Sequence, residues 1–376
     1  MRAGREAVVH IGHKKTGTSF IQHHFHRAAD ALRALGVLYP LREANHSFAL
    51  SGLFRRHTAV RAPSPLDGYV AERNAGLLAF ERSLGGDDWQ TLLLSAEALA
   101  GFSIAELTEL RGVLVRHVDR VRIVFVIRDP VDWAVSVAQQ YLRSRSDIDA
   151  VLSQPEPVRW RAIIGRMRHV FGAGAVEVLA YEELAAERDA FAARFAHAAG
   201  LPLVIAPLLR GERETVNESL SMEAALMLGR LNVRVPEAID GARNPARSGS
   251  EAGIFAGLPG QRFDLPDNAR RLAYAESRDD VAFVGRQFGI TRYDYPPERL
   301  AASRYTEQVS SEFLDALADR LYAFNAEATA SRLLLDSQRL RDRGETKRAD
   351  ALLRQAGVRF PEDRRVARAT AHRARG

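Results

Sequence analysis

Two lysines stand between two glycines in HIGHKKTGTSF (10–20), and they are two of only three lysines among 53 basic residues. Gly12 and Gly17 have the G-x-x-x-x-G separation of a phosphate-binding loop, and Ser19 takes the place of its final hydroxyl residue. Thr18 fills the position from which a lysine would reach terminal phosphates; Lys14 and Lys15 precede the second glycine instead. An ammonium is a compact point charge where a guanidinium is a flat fork. Lysines retained here, in a chain that otherwise uses arginine, point to a small cation set close against a phosphate. A phosphate seated on the backbone N–H groups of such a loop, at a helix N-terminus, gains further donors from the Thr18 and Ser19 hydroxyls.

The elements that must hold this loop are legible in the pattern. AVVHI (7–11) is a short apolar run that ends in it, and TSFIQHHFHRAADALRALG (18–36) has helical periodicity closed by Gly36, which makes strand, loop, helix. Residues 37–68 read as a long polar connection. Helices are expected at 69–84, 104–118, 130–145 and 190–200, and strands at 91–95 and 121–127, with 176–184 a strand running into an acidic helix start. The alternation predicts an α/β fold, a P-loop-NTPase-like parallel sheet flanked by helices on both faces, in which ligands bind beyond the carboxyl ends of the strands. After about residue 201 the pattern weakens to helices near 222–232, 267–288 and 306–326. The expected organisation is one domain over 1–328, its part from 201 onward an irregular acceptor side or lid, and a small α-helical extension over 329–376.

In that extension Ser337, Leu340, Gly344, Ala349, Leu353, Ala356 and Pro361 fit the offsets of one 34-residue tetratricopeptide-like unit. An arbitrary amphipathic hairpin fits them too. Either must dock on something, a protein partner or the chain itself. Net charge is +6, but from Arg332 to Gly376 basic residues outnumber acidic ones by 13 to 6, so the rest of the chain is close to neutral. A basic body for nucleic acid is not expected. Cysteine is absent, which removes thiolate chemistry and disulfides. No stretch reaches the ~18 apolar residues of a membrane span, and the apolar run before the glycine loop is too short for a signal peptide. A cytoplasmic protein without a transmembrane segment is expected.

A ligand whose transferable sulfate hangs from a 5′-phosphate suits the loop: a lysine one turn before the helix meets the bridging oxygen, and no metal is needed. KTGTSF (15–20) resembles the 5′-phosphosulfate loop of the sulfotransferases that use 3′-phosphoadenosine 5′-phosphosulfate (PAPS), with Phe20 where cytosolic members carry a tryptophan near the adenine. IRDPVDWAVS (127–136) is similar to that family's second signature, an Arg-x-Pro with a serine eight residues past the arginine, and VEVLAYEEL (176–184) looks like its strand-plus-YEDL segment. TVNESLSMEAALMLGRLN (215–232) resembles a run found in bacterial branches. The resemblance covers residues 7 to about 200. It implies PAPS as cosubstrate, held by Lys14, Lys15, Thr16, Gly17, Thr18, Ser19 and Phe20 at the 5′ end and by Arg128 and Ser136 at the 3′-phosphate.

Sulfuryl transfer is an in-line displacement, so a general base must face Lys15 across the sulfate. Glu97, after the strand at 91–95, and His46, in the connection after the first helix, are the candidates, with Glu43 a third. The histidine that cytosolic members use is absent. His23, His24 and His26 share a helix rather than a metal site, and no metal is expected. A hydroxyl or amine of a carbohydrate or glycoconjugate is the expected acceptor; Arg42, Arg55, Arg56 and Arg61 fit an anionic or polyhydroxylated one. Two rivals stay open: a P-loop kinase or NTPase, which Thr18 and the lack of an Asp ending a strand for Mg²⁺ oppose, and a non-catalytic nucleotide-binding scaffold that recruits a partner through its tail.

Overall fold

The structure, a computed structural model, describes residues 4–55, 66–143, 147–187, 190–210, 220–240, 242–296, 298 and 300–373. Contacts divide the chain into two compact units, Met1–Glu218 with Asp264–Tyr305, and Ser219–Phe263 with Thr306–Gly376.

The first unit opens with β1 (Glu6–Gly12), α1 (Thr18–Arg27), α2 (Ala29–Ala34), β2 (Val37–Leu38), α3 (Ser47–Phe54), α4 (Leu66–Ser83) and β3 (Thr91–Ala96). There follow α5 (Ile104–Leu114), β4 (Arg120–Ile127), α6 (Pro130–Arg143), α7 (Ile148–Ser153), α8 (Trp160–Phe171), β5 (Val176–Ala180), α9 (Tyr181–Leu184) and α10 (Phe191–Ala198). The five strands form one sheet in the order β2-β3-β1-β4-β5 with every neighbouring pair parallel. This is the α/β, P-loop-like sheet that the alternation of elements predicts.

Parallel strands covered on both faces must be apolar on both, and these are. Val9, Ile11, Leu92, Leu94, Ile123 and Phe125 point into one core, where Trp133 of α6, Leu110 of α5 and Ile164 of α8 meet them. Their alternates Val8, Leu93, Val124 and Val126 point into the other, against Ile21 and Phe25 of α1 and Phe195 of α10. The Ser103 hydroxyl accepts from the Glu106 amide while the Glu106 carboxylate accepts from the Ser103 amide, a capping box that fixes where α5 begins.

Several elements depart from the sequence expectations. The helix expected at 18–36 is two, broken at Ala28. The polar connection at 37–68 contains an edge strand paired to β3 and α3, whose Leu50 and Phe54 are buried. Tertiary burial, not periodicity, selects both. The run 176–184, by contrast, is as expected: a strand to Ala180 that runs into the acidic start of α9. Helices α7 and α8 occupy a region to which the pattern assigns no element.

The first unit is completed by α13 (Asp267–Phe288), whose Val281 and Val284 join the first core. The second unit holds α11 (Met222–Arg234), a hairpin of β6 (Ala238–Ile239) and β7 (Ala242–Arg243), α12 (Glu251–Phe255), α14 (Ser311–Asp342), α15 (Thr346–Arg359) and α16 (Arg364–Arg373). The helix expected at 306–326 and the start of the expected tail are thus one 32-residue helix, and the boundary at 328 falls inside it. Ala330 and Ser337 of α14 are buried with Ala349, Leu353 and Ala356 of α15, and the Ser337 hydroxyl donates to the Ala349 carbonyl. Among the described residues no helix is long and apolar enough to cross a membrane.

Candidate functional site

Strand register alone gathers the site. Ile11 pairs with Ala96 on one side and Phe125 on the other, and Gly12 pairs with Val126. Glu97 directly follows β3, the loop at 13–17 follows β1, and Arg128 follows β4, so all three emerge at one carboxyl edge. In the order 2-3-1-4-5 that edge at β1 is where the chain changes direction across the sheet, the place where open α/β sheets bind ligands.

The loop is shaped by two left-handed residues, Lys15 (φ 67°) and Gly17 (φ 78°). Glycine takes this conformation freely. For lysine it costs about 1 kcal/mol or more, strain of a kind that concentrates at binding sites. A side chain at Gly17 would lie 2.6 Å from the Phe191 ring, and one at Gly12 would lie 2.2 Å from the Thr18 methyl, so both glycines are also needed for space. Gly17 caps α1; no side chain caps it, and the first turn carries no acidic residue. The positive end of a ten-residue helix therefore faces the loop with no acidic residue of its own first turn against it.

Each expected site residue can now be placed. The Arg128 guanidinium donates from Nη1 to the Lys15 carbonyl (3.2 Å) and lies over the Tyr181 ring, 5.0 Å from its centroid; its Nε is buried without a hydrogen-bond partner among the described residues. Lys15 is half-buried. Burial lowers its pKa, with the charges of Arg143, Arg128 and Lys14 acting the same way and Glu97 opposing them. Glu97 is half-buried too. Burial raises its carboxyl above the usual range, while Lys15, the Thr18 hydroxyl and Lys14 hold it down. Lys15, Glu97, Arg128 and Arg143 thus form one electrostatic cluster.

Lys14 turns elsewhere: its ammonium donates to the Tyr141 hydroxyl (2.8 Å) and to Glu156 (2.7 Å). The Thr16 hydroxyl, fully buried, donates to the His13 carbonyl at 2.6 Å, and the Thr18 hydroxyl reaches the same oxygen at 3.3 Å. Ser19 is exposed. Phe20 packs on His24 and Phe191 at ring separations of 4.1 and 5.7 Å. Ser136, half-buried, sits in the second turn of α6. His46 is 0% exposed, its Nδ1 accepting from the Ser95 amide at 3.2 Å and its ring 4.2 Å from that of Tyr39. Burial pushes its imidazole down to about 3. Glu43 is exposed. Among the described residues no group of three or more His, Asp or Glu is placed to hold a metal ion. Arg56, Arg61 and the TVNES part of the 215–232 run lie outside the described residues.

Sequence reasoning missed Arg143, Tyr181 and the Trp133 indole, whose Nε1 donates to the Lys14 carbonyl at 2.8 Å. Arg143 was within reach, because it lies seven residues after Ser136 and so on the same face of α6. Tyr181 and Trp133 lie inside the VEVLAYEEL and IRDPVDWAVS segments, but nothing local shows what they hold, since Arg128 and the Lys14 carbonyl are more than 50 residues away from them.

No family model matches this chain, and no curated protein matches it. Among solved structures, the chain is similar to a sulfotransferase from Alicyclobacillus acidocaldarius at 18% identity and a TM-score of 0.33, covering 62% of this chain and 94% of that one. It is also similar to the sulfotransferase domain of the Synechococcus PCC 7002 olefin synthase at 14% identity and a TM-score of 0.28, covering 55% and 77%. Likenesses this distant carry no argument about chemistry, which must come from the site.

Proposed function

We propose that this chain is a cytoplasmic PAPS-dependent sulfotransferase that moves the sulfuryl group to a hydroxyl or amine of a carbohydrate or glycoconjugate. The observation that carries this is the convergence of Lys15 and Arg128, in hydrogen-bond contact through the Lys15 backbone, beside the uncapped start of α1. A 5′-phosphate suits the loop amides and the helix end. The 3′-phosphate suits Arg128, whose planar fork matches an anion and whose Nε has no hydrogen-bond partner among the described residues, with Ser136 on the following helix.

Glu97 is the base in this scheme. Its carboxylate takes the acceptor's proton as the acceptor oxygen bonds to sulfur. The Lys15 ammonium meets the charge left on the 5′-phosphate oxygen as the sulfur–oxygen bond breaks, and adenosine 3′,5′-bisphosphate departs. Burial suits both roles: a raised carboxyl is a better base, and a lysine with a lowered pKa transfers a proton more readily. His46 has no exposed surface and serves to hold Ser95 and thus the end of β3. Lys14, engaged by Glu156 and Tyr141, props the loop. The helices of α14 and α15 act as a tetratricopeptide-like dock for a protein partner.

The test is transfer itself. With sulfur-labelled PAPS and a panel of glycans, lipid headgroups and peptides, label should move to a glycan and adenosine 3′,5′-bisphosphate should accumulate in equal amount. No transfer to any acceptor, together with phosphoryl transfer from ATP–Mg²⁺, would make the chain a kinase instead.

A further inference from the structure

The turn that presents Arg128 is tied down on both sides by residues more than 160 positions away in sequence. Asp129 caps α6, its Oδ1 accepting from the amides of Val131 (2.9 Å) and Asp132 (3.0 Å). Its other oxygen accepts from the Tyr295 hydroxyl at 2.8 Å. The Asp129 amide donates to Glu182 at 2.9 Å, and the second oxygen of Glu182 accepts from the Tyr293 hydroxyl at 2.5 Å. Tyr293 also reaches the Ile127 carbonyl at 3.4 Å. Arg128 itself lies on Tyr181, the residue before Glu182.

The segment carrying these tyrosines is itself locked. The Tyr274 hydroxyl, from α13, donates to the Tyr295 carbonyl (2.6 Å) and accepts from the Tyr295 amide (3.0 Å), and the two rings stack 4.6 Å apart at 15°. Tyr293 is 1% exposed and packs on Trp160. Burial and the neighbouring carboxylates push both hydroxyls upward, so both remain donors.

We infer that Tyr293 and Tyr295 form a strap that fixes the 127–129 turn and so aims the Arg128 guanidinium at the 3′-phosphate of the donor. They are positioning residues; neither need touch the nucleotide. The inference rests on the assignment of Arg128 made above. A half-buried carboxylate shared between a helix cap and a tyrosine hydroxyl is held in one arrangement, and residues on a turn so held lose little freedom when they meet a ligand. The 5′ end of the site hangs on β1 instead and meets this turn at the Lys15 carbonyl, which accepts from Arg128.

Selectivity for the 3′-phosphate is therefore the quantity to measure. Tyr295→Phe and Tyr293→Phe remove one hydroxyl each and keep the rings. Affinities for adenosine 3′,5′-bisphosphate and adenosine 5′-monophosphate are titrated for wild type and both variants. Wild type should prefer the bisphosphate. The variants should bind it about three- to tenfold more weakly, with monophosphate affinity unchanged and kcat at saturating donor within about twofold. Variants that keep the wild-type ratio, or that lose both nucleotides equally, overturn the strap and leave the Arg128 assignment standing. A wild type without any preference overturns both.

Discussion

Exchanging Glu97 for glutamine is expected to lower sulfuryl transfer by about 10²- to 10⁴-fold, the usual contribution of a positioned general base. The size and shape of the group are retained, so affinity for adenosine 3′,5′-bisphosphate should change less than about threefold. The pH profile gives the sharper test. Burial raises the Glu97 carboxyl, and the carboxylate is the active form, so wild-type kcat should fall as pH drops through that raised pKa. The variant should lose this acid limb. Glu97 is also the acid that supports the protonated form of Lys15 against burial and three cationic neighbours. The glutamine variant should therefore lose rate at high pH sooner than wild type, as Lys15 deprotonates earlier. A variant with a retained acid limb and near-normal turnover would remove Glu97 from the chemistry.

Acid should unfold this protein well before its carboxylates are titrated. His10, His13 and His46 are all buried, and burial pushes each imidazole down to about 3 from 6.5. His10 Nδ1 lies 2.9 Å from the Ser95 hydroxyl, and His13 stacks on Trp133 at 4.5 Å. The unfolded chain binds protons at these sites once pH falls below 6.5 and the folded chain does not, so stability present at neutral pH is lost on acidification. At pH 5 three such sites cost on the order of 6 kcal/mol, comparable to the whole stability of many domains. The carboxyls raised by burial, Glu97, Asp129 and Asp280, act in the opposite sense but are less strongly shifted. Denaturant titrations between pH 7 and 5 should show a slope approaching three protons, and His46→Gln should reduce it by about one. A flat profile over that range would mean the imidazoles are not held neutral.

The sheet was open to reading because its strands are buried on both faces and so appear as uninterrupted apolar runs, VRIVFVI the plainest of them. The loop was legible for a different reason, since glycine and lysine spacing there is dictated by local backbone shape. What could not be read depends on partners far away in the chain. Lys14 looks free in HKKTG, yet Glu156 takes it up. His46 looks like a loop histidine, but α3 folds over β3 and buries it. The edge strand at Val37–Leu38 exists because β3 offers an edge, and a two-residue strand leaves no periodicity. Tyr293 and Tyr295 belong to a segment with no motif, and only the fold brings them to Asp129.

The most direct measurement is the melting temperature with adenosine 3′,5′-bisphosphate or with ATP–Mg²⁺, for wild type, Lys15→Ala and Arg128→Ala. If one bisphosphorylated adenosine spans the loop and the β4 turn, the bisphosphate raises the wild-type melting temperature, ATP–Mg²⁺ does not, and each substitution removes most of the rise. Stabilisation by ATP–Mg²⁺ instead, or a bisphosphate effect indifferent to both substitutions, would contradict the site.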